Sequence, residues 1–379
     1  MIDKSSLSSR PLGLPGEASP GLLVRWHLDW PLMAGLLLLC GLGLIVLYSA
    51  AEQDLARVQS QLVRLGVAFG LMVLVAQIPP VHFQRWALAM FAAGIVMLVL
   101  VLLIGDIGKG AQRWLDLGFV RFQPSELLKL AVPMVLAWLF AQRPLPPRLP
   151  WLLLAAVMIL VPVMLIARQP DLGTALLVAS AGLVVVFLAG LSWRLILVLG
   201  AVLAALAPVL WFAMRDYQRQ RVLTFLNPEN DPLGAGYHII QSQIAIGSGG
   251  LHGKGWLAGT QSHLEFLPER STDFIFAVLG EEFGLMGILV VLSVYLLVIF
   301  RGLYIASQAP NTFGRLLAGG LVLVFFVYLF VNTGMVAGLL PVVGVPLPLV
   351  SYGGTSLVTV MIGFGIIMSI HTHRKKLSV

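Results

Sequence analysis

The sequence predicts an all-α polytopic membrane protein with about ten transmembrane helices and a large outer loop between the seventh and eighth of them. Of its 379 residues, 59% are hydrophobic and only 11% are charged, whereas soluble proteins carry about 25% charged residues. Uncharged runs of membrane-spanning length recur along the chain, and residues 316–370 contain no charged side chain. A water-soluble fold of this length would lack the polar surface it needs, so soluble domains are excluded.

Each transmembrane helix needs about 20 apolar residues. Uncharged runs of that size lie at 30–51, 65–84, 86–105, 149–167, 172–193 and 195–214. The run 130–142 reaches spanning length only if its helix begins near Glu126. Another helix is predicted over 273–300, and 316–370 holds two spans joined by a connector rich in Gly and Pro, residues 340–354.

These spans divide the chain into three parts. Residues 1–28 are predicted to be a flexible cytoplasmic tail, because they are rich in Ser, Pro and Gly and contain no apolar segment that could serve as a signal peptide. Residues 29–370 form a single ten-helix domain in which 215–272 is the large outer loop. Residues 371–379 form a basic cytoplasmic tail.

The orientation follows from the distribution of Lys and Arg, which favour cytoplasmic loops. With both termini inside, the basic residues divide equally, twelve on each side, and setting aside the five in the long loop 215–272 gives 12 against 7. The acids are more informative, since only Asp3, Glu17 and Asp29 lie on the inner side. The remaining acids concentrate on the outer side, which indicates chemistry or binding there.

The composition argues against nucleic-acid binding and gives no support for a metal site. The net charge of +7 matches the basic excess of cytoplasmic loops, and no basic run with interleaved aromatics appears, so nucleic acid is not an expected partner. The single cysteine, Cys40, lies in an apolar run and allows neither an internal disulfide nor a cysteine metal site. His252 and His263 lack further metal-ligating neighbours, so no metal site is predicted.

The first candidate site begins with Arg113 and continues into a predicted helix that starts at Pro124-Ser125. Glu126 and Lys129 are three residues apart and therefore share one helix face. Ionisable side chains inside a membrane helix are costly unless they are paired or face a polar cavity, which makes them a functional-site hypothesis. An ion pair that only fastens two helices together is the alternative.

The second candidate is Asp171, in the short outer turn 169–174 between two spans. A cap for the following helix is the simpler interpretation, because an Asp at this position satisfies free backbone N–H groups.

The long loop supplies three more candidate cations, Arg219, Arg221 and Lys254. Residues 239–246 predict a helix that lies on the membrane surface. The glycine-rich segment 247–255 could hold a phosphate on its backbone N–H groups with Lys254 as the counter-charge, and a flexible hinge is the plainer interpretation.

Asp273 is the sharpest candidate, because it enters an apolar helix from a polar loop. A carboxylate at such a boundary can serve as a general base, and the alternative is a partner for the helix dipole. Glu281 and Glu282 follow on the same helix but on other faces, and interhelical hydrogen bonds explain them.

The connector between the last two predicted spans cannot itself form a regular span, because the segment 341–356 contains several Pro and Gly residues. Non-helical backbone at membrane depth must be buried in protein or line a water-filled cavity. We therefore predict a broken helix beside an outward-facing cavity with Ser351 and Tyr352, followed by Thr355 and Ser356, as its polar lining.

Taken together, five of these segments resemble the SEDS family of polytopic cell-wall polymerases. The motifs are RWLDLG (113–118), RFQPSELLKL (121–130), QPDLGT (169–174), FLPERSTDFIFAVLGEEFGL (266–285) and PLPLVSYGGTS (346–356). Glu269-Arg270 and Pro348-Leu349-Val350 look more like the RodA branch than the FtsW branch of that family.

The resemblance implies a peptidoglycan glycosyltransferase of the bacterial inner membrane that polymerises lipid II into β-1,4 glycan strands during cell-wall elongation. It places the active site and the loop 215–272 on the periplasmic side and carries the catalytic role to Asp273. Substrate binding is assigned to Glu126, Lys129, Arg113, Asp171, Arg219, Arg221, Lys254, Ser351 and Tyr352.

The implied partners are a class B penicillin-binding protein as activating transpeptidase, lipid II, undecaprenyl-linked glycan and membrane lipids. No resident cofactor is predicted, and a divalent cation, Mg²⁺ or Mn²⁺, remains open. Two alternatives use the same features: a flippase or transporter of lipid II, and a non-catalytic scaffold of the elongation machinery.

Overall fold

A computed structural model describes residues 26–108, 111–116, 121–214, 216–230, 235–263, 267 and 269–373. The predictions for the tails before residue 26 and after residue 373 lie outside these residues. The described helices are α1 Trp30–Ala50, α2 Leu55–Ala76, α3 Pro80–Ile104, α4 Pro124–Ala141, α5 Leu149–Arg168, α6 Leu172–Leu188, α7 Trp193–Ala213, α8 Asp216–Leu226, α9 Ala235–Gly249, α10 Thr260–His263, α11 Ile275–Ser307, α12 Thr312–Val336 and α13 Thr355–Thr372. A 3₁₀ turn, Pro228–Asn230, lies between α8 and α9.

Eight of these helices, α1 to α5 and α11 to α13, are long and apolar enough to cross a membrane. The shorter α6 and the apolar part of α7 add two more apolar helices. The all-α, multi-pass membrane fold is confirmed, and the count of ten spans stays a prediction. The helices α4 and α12 are largely buried, whereas α2, α3 and α5 expose most of their apolar side chains, as helices at a lipid-facing periphery do.

The helix α2 differs from the span expected over 65–84. It begins ten residues earlier because the carboxylate of Asp54 accepts hydrogen bonds from the backbone N–H groups of Ala56 and Arg57 and so caps the first turn. It ends at Ala76, ahead of the consecutive prolines at 79–80 that restart the chain as α3.

Between α3 and α4, the outer segment forms a small antiparallel sheet of three strands in the order β1-β2-β3. The strands are β1 Asp106–Gly108, β2 Ala111–Asp116 and β3 Arg121–Phe122. Leu115 pairs with Phe122 in this sheet. The sheet delivers the chain to Pro124, where α4 begins, as the Pro-Ser signal predicts.

At the other end of the bundle, Asp29 joins α1 to α11. Its carboxylate caps α1 by accepting from Leu32 N and forms a bidentate pair with Arg301, with an N–O distance of 2.6 Å. Burial alone would raise the pKa of Asp29, but the hydrogen bonds from Arg301 and Leu32 hold that pKa below its usual value.

The helix α11 is broken near its start. Gly284 has φ 62° and ψ −162°, a conformation that only glycine adopts readily, so the 33-residue helix bends at this residue. The helix predicted over 239–246 is confirmed as part of α9, and it packs against α11 with Ala245 fully buried.

Candidate active site

The glycine-rich segment that precedes α10 fastens the two halves of α11. The backbone N–H groups of Lys254 and Gly255 donate to the carbonyls of Glu281 and Glu282, at 3.0 Å each. On the far side of the bend, Leu285 N donates to the carbonyl of Gly250 and Met286 N to that of Leu251. The segment 250–255 therefore supplies the hydrogen bonds that the bent helix lacks, and we name it the glycine clamp.

The side chain of Lys254 is also engaged within the chain. Its Nζ lies 2.7 Å from the Glu281 carboxylate, which is fully buried and also accepts from Thr260 Oγ1 and Gln261 N. The described contacts of this ammonium and of the N–H groups at 254 and 255 are with protein atoms, so we interpret the clamp as a structural element. Phosphate binding by Lys254 stays a prediction.

Asp273 precedes the first residue of α11 by two positions, and hydrogen bonds from the connector fix the chain leading to it. The backbone N–H of Tyr352 donates to the carbonyl of Ser271 at 2.8 Å. The hydroxyl of Ser351 donates to the carbonyl of Thr272 at 2.6 Å. Ser351 and Tyr352, predicted as cavity lining, are thus brought to the segment that carries Asp273.

The backbone of Asp273 itself is held from α12. The amide Nδ2 of the fully buried Asn332 donates to the carbonyl of Asp273 at 2.8 Å and to that of Val345, in the connector, at 2.7 Å. The carboxylate lies beside Gly344, since a Cβ built there would be 3.4 Å from Asp273 Oδ2. The predicted connector is confirmed as non-helical over 337–354, and it forms one side of the Asp273 site.

Glu126 and Lys129 form a buried ion pair one turn into α4, with Lys129 Nζ 2.7 Å from Glu126 Oε1. The ammonium also lies 5.3 Å from the centre of the Tyr328 ring on α12. Burial of both charges makes the pair expensive unless it is compensated by further interactions. The pair therefore links α4 to α12, as the alternative interpretation predicted. Glu126 also lines the cavity described below, so the pair is not only a link between helices.

Asp171 caps α6, as the simpler interpretation predicted, by accepting from Thr174 N at 3.2 Å. It also collects two groups from the first candidate site. Gln123 Nε2 donates to Asp171 Oδ2 at 3.1 Å, and Arg113 Nε lies 3.7 Å from the same oxygen. The motifs that carry Arg113, Gln123 and Asp171 therefore meet in space.

A cavity of about 400 Å³ opens between α2, α4 and α13. Its walls are largely apolar, with Arg64, Gln123 and Glu126 among the few polar residues. The guanidinium of Arg64 lies 4.4 Å from the centre of the Tyr352 ring. The remaining lining residues are Val63, Val67, Phe122, Leu127, Leu130, Gly354, Thr355, Val358, Thr359 and Ile362. A long apolar chain with a charged end matches this cavity.

The two arginines of the long loop lie elsewhere. Arg219, on α8, donates to the carbonyls of Trp211 and Phe212 and lies 3.9 Å from Asp216, so its described contacts are with the end of α7 and with its own helix. Arg221 lies on the same helix. Neither residue lines the cavity between α2, α4 and α13.

Two residues of this site do not stand out in the sequence, Arg64 and Asn332, whereas Gln123 lies within the first candidate segment. Arg64 immediately precedes the uncharged run 65–84, so the predicted span begins one residue after it. An Arg inside a predicted membrane helix is a recognisable functional signal, so a correct start for α2 would have found it. Asn332 carries the same signal as an amide inside an uncharged span.

Metal ligands do not gather in the described parts of the chain: no three His, Cys, Asp or Glu side chains there are placed to hold one ion.

Comparison with known proteins assigns the fold. The FtsW/RodA/SpoVE family model, described as "Cell cycle protein", matches residues 30–376. This chain belongs to the FtsW/RodA/SpoVE family. The resemblance to cell-wall polymerases that five motifs indicated is thereby confirmed.

Two relatives of this chain are named as peptidoglycan glycosyltransferases, and the first, which is of the RodA type, supports the RodA branch. The chain is 59% identical over 353 residues to "Peptidoglycan glycosyltransferase MrdB" of Escherichia coli (strain K12), which covers 93% of this chain and 95% of that protein. It is 34% identical to "Peptidoglycan glycosyltransferase RodA" of Treponema pallidum (strain Nichols), with 91% and 98% covered.

Solved structures of the family agree with the fold. The Thermus thermophilus rod shape determining protein RodA superposes with a TM-score of 0.69 at 31% identity, over 92% of this chain and 98% of that one. A chain from a structure described as "Structural coordination of polymerization and crosslinking by a peptidoglycan synthase complex" gives a TM-score of 0.80 at 34% identity, over 92% and 99%.

Proposed function

We propose that this chain, a peptidoglycan glycosyltransferase of the RodA type, polymerises lipid II into β-1,4 glycan strands by inverting displacement, with Asp273 as the residue that deprotonates or orients the acceptor. The activity and its place in cell-wall elongation follow from the family and from the identity to its RodA-type relatives. The observation that carries the role of Asp273 is its placement: three consecutive backbone carbonyls, at 271, 272 and 273, each accept a hydrogen bond from the connector or from α12.

In the proposed reaction, the 4-hydroxyl oxygen of the acceptor sugar attacks the anomeric carbon of the lipid-linked donor. A C–O bond forms there as the bond to the undecaprenyl pyrophosphate breaks, and the leaving group departs with that electron pair. The hydroxyl proton passes to the Asp273 carboxylate, a general-base step. One displacement converts an α-linked donor into a β-linked product, so no covalent enzyme intermediate is needed.

The cavity between α2, α4 and α13 is the proposed place for a polyprenyl chain. Its apolar walls suit hydrocarbon, and the Arg64 guanidinium on its wall suits a pyrophosphate whose charge grows as it leaves. Gln123 binds Asp171 and lines the same cavity as Glu126. We therefore retain the pair Glu126–Lys129 and the pair Arg113–Asp171 as substrate-binding residues. We assign Lys254 and Arg219 to the structure of the loop instead, given the contacts described above.

We propose no resident metal site. If the reaction uses Mg²⁺ or Mn²⁺, we propose that the ion binds together with the pyrophosphate, because Mg²⁺ is commonly held by one or two carboxylates and by substrate phosphates.

The multi-pass chain is proposed to lie in the bacterial inner membrane with both termini in the cytoplasm and Asp273 on the periplasmic side. The proposed protein partner is a class B penicillin-binding protein. A similar chain was solved in a structure whose description joins polymerization to crosslinking in a peptidoglycan synthase complex, which supports a partner that crosslinks.

The test is polymerisation of purified lipid II in detergent by the full chain with its transpeptidase partner bound. Asp273→Asn should abolish polymer while leaving the melting temperature unchanged. The matched control is Asp216→Asn, a change at a fully exposed position on α8 that should retain wild-type polymerisation.

Three outcomes would contradict the proposal. Absence of polymer from the wild-type complex in detergent would favour the flippase, because a flippase only moves lipid II across a bilayer and forms no polymer. Polymer from Asp273→Asn at the wild-type rate would remove Asp273 from the chemistry, and normal growth of cells carrying only that variant would favour a scaffold.

A further inference from the structure

We infer that Asn332 is a positioning residue for the Asp273 carboxylate, an inference that rests on the proposed function. Asn332 lies near the end of α12, and its side chain is completely buried. Its Nδ2 donates to two carbonyls, that of Asp273 at 2.8 Å and that of Val345 at 2.7 Å. An amide has two N–H hydrogens, so both are used.

The orientation of this amide is fixed by its partners. Exchanging Oδ1 and Nδ2 would place an oxygen against two carbonyl oxygens, which can only accept hydrogen bonds. Asn332 therefore supplies a donor at one point in the fold, where the Asp273 segment and the connector would otherwise present carbonyls to each other inside the protein.

Asn332 differs from the other two groups that hold this segment. The bonds to Ser271 and Thr272 come from Tyr352 and Ser351 of the connector and involve residues before Asp273. Asn332 alone among these three donors binds the carbonyl of Asp273 itself.

The second partner of Asn332 lies next to the carboxylate. Val345 follows Gly344, whose backbone has φ +72° and comes close to Asp273 Oδ2. One buried amide therefore fixes the main chain of Asp273 and the connector backbone around Gly344, beside which the Asp273 carboxylate lies. A misplacement of a reacting group by about 1 Å can lower the rate by 10²-fold. Loss of the Asn332 amide should therefore lower kcat.

The experiment compares Asn332→Leu with the wild type in the lipid II polymerisation assay, using the full chain with its partner. Leu has the same number of side-chain heavy atoms and the same branching as Asn but donates no hydrogen bond. We expect kcat to fall by about ten- to a hundredfold, while KM for lipid II changes by less than about twofold, because the variant alters the position of the base and not the cavity. A rise in KM with kcat retained would overturn the inference.

Thr333→Val is the matched control. Thr333 is the next residue of α12, and its hydroxyl bonds only to carbonyls of its own helix among the described contacts. This variant should keep the wild-type kcat. An equal fall in kcat for Thr333→Val and Asn332→Leu would show a general response of α12 and contradict a specific role.

If Asn332→Leu does not fold, Asn332→Ala decides the question, because it removes the same donor to the Asp273 and Val345 carbonyls without adding bulk. A fall in kcat at constant KM supports positioning by Asn332, and wild-type kcat overturns it. Failure of the proposed function is distinguishable, since Asp273→Asn would then retain activity. If Asp273→Asn is inactive and a folded Asn332→Leu has wild-type kcat, only the present inference fails.

Discussion

The carboxylate of Glu281 is fully buried and accepts three hydrogen bonds, one of which comes from the ammonium of Lys254. Its position within α11 would leave a charge in an apolar bundle if these donors were absent. Removing one partner of a buried ion pair is strongly destabilising, because the other charge remains buried without compensation. Lys254 therefore matters for the stability of the clamp.

We predict that Lys254→Ala lowers the free energy of unfolding by about 3 kcal/mol, measured as a fall in melting temperature in detergent, and leaves KM for lipid II within about twofold of the wild type. The double variant Lys254→Met with Glu281→Gln should recover part of the lost stability, because it removes both charges. A large rise in KM without any loss of stability would instead assign Lys254 to pyrophosphate binding, as its sequence context first indicated.

A sequence singles out a residue where a charge lies inside or at the start of an apolar helix. Asp273, Glu126 and Lys129 are such residues; Glu126 and Lys129 form an ion pair in the structure, and the catalytic role of Asp273 stays a prediction. Asn332 and Arg64 do not stand out in this way, because Asn332 is uncharged and Arg64 precedes the uncharged run 65–84. What each of them contacts depends on chain segments far away in sequence, which spacing along one helix does not report.

At the scale of elements, the break in α11 depends on a close approach of two backbones. A Cβ added at Gly284 would lie 2.3 Å from the backbone nitrogen of Gly253, and the φ and ψ angles of Gly284 are unfavourable for any other residue. The bend and the glycine clamp therefore require each other.

Gly284→Ala is expected to destabilise the protein by about 2–3 kcal/mol, since strain at such a backbone conformation costs about that much. Thermal unfolding in detergent provides the measurement. The control is Gly70→Ala on α2, where an added Cβ meets no atom within 4 Å and where Ala favours the helix by about 1 kcal/mol. Equal melting temperatures for the two variants would show that the bend is not held by Gly284.

Element boundaries were predictable where a cap or a proline marks them, and less so where polar residues continue a helix. α4 begins at Pro124, and the connector lacks regular helix, both as expected. The first three turns of α2 were missed because charged residues at 57 and 64 exclude them from an uncharged run, although an amphipathic start is permitted at a membrane boundary.

At the scale of the whole molecule, the cavity between α2, α4 and α13 is the feature that no single segment predicts. Its lining comes from three distant parts of the chain, residues 63–67, 122–130 and 354–362. The sequence predicted an outward-facing cavity beside the connector, but only the packing of three helices defines where it lies and which side chains line it.

Filling this cavity should weaken the use of lipid II. We expect Val358→Trp to lower kcat/KM for lipid II by about tenfold or more, because the indole would occupy space proposed for the polyprenyl chain and each excluded methylene removes about 0.8 kcal/mol of apolar burial. Val157→Trp, an exposed position on α5, is the control. Unchanged kcat/KM in a folded Val358→Trp protein would place the lipid chain elsewhere.

The connector links the cavity wall to the segment that carries Asp273. Tyr352 stands under the Arg64 guanidinium and also binds the carbonyl of Ser271, and Gly354, two residues later, belongs to the cavity wall. In the proposed function, the polyprenyl chain and the acceptor sugar would therefore bind at opposite ends of this short segment. A lipid chain bound out of place would shift Tyr352 and, through its hydrogen bond to Ser271, the Asp273 carboxylate, so that lipid binding and alignment of the base would be coupled.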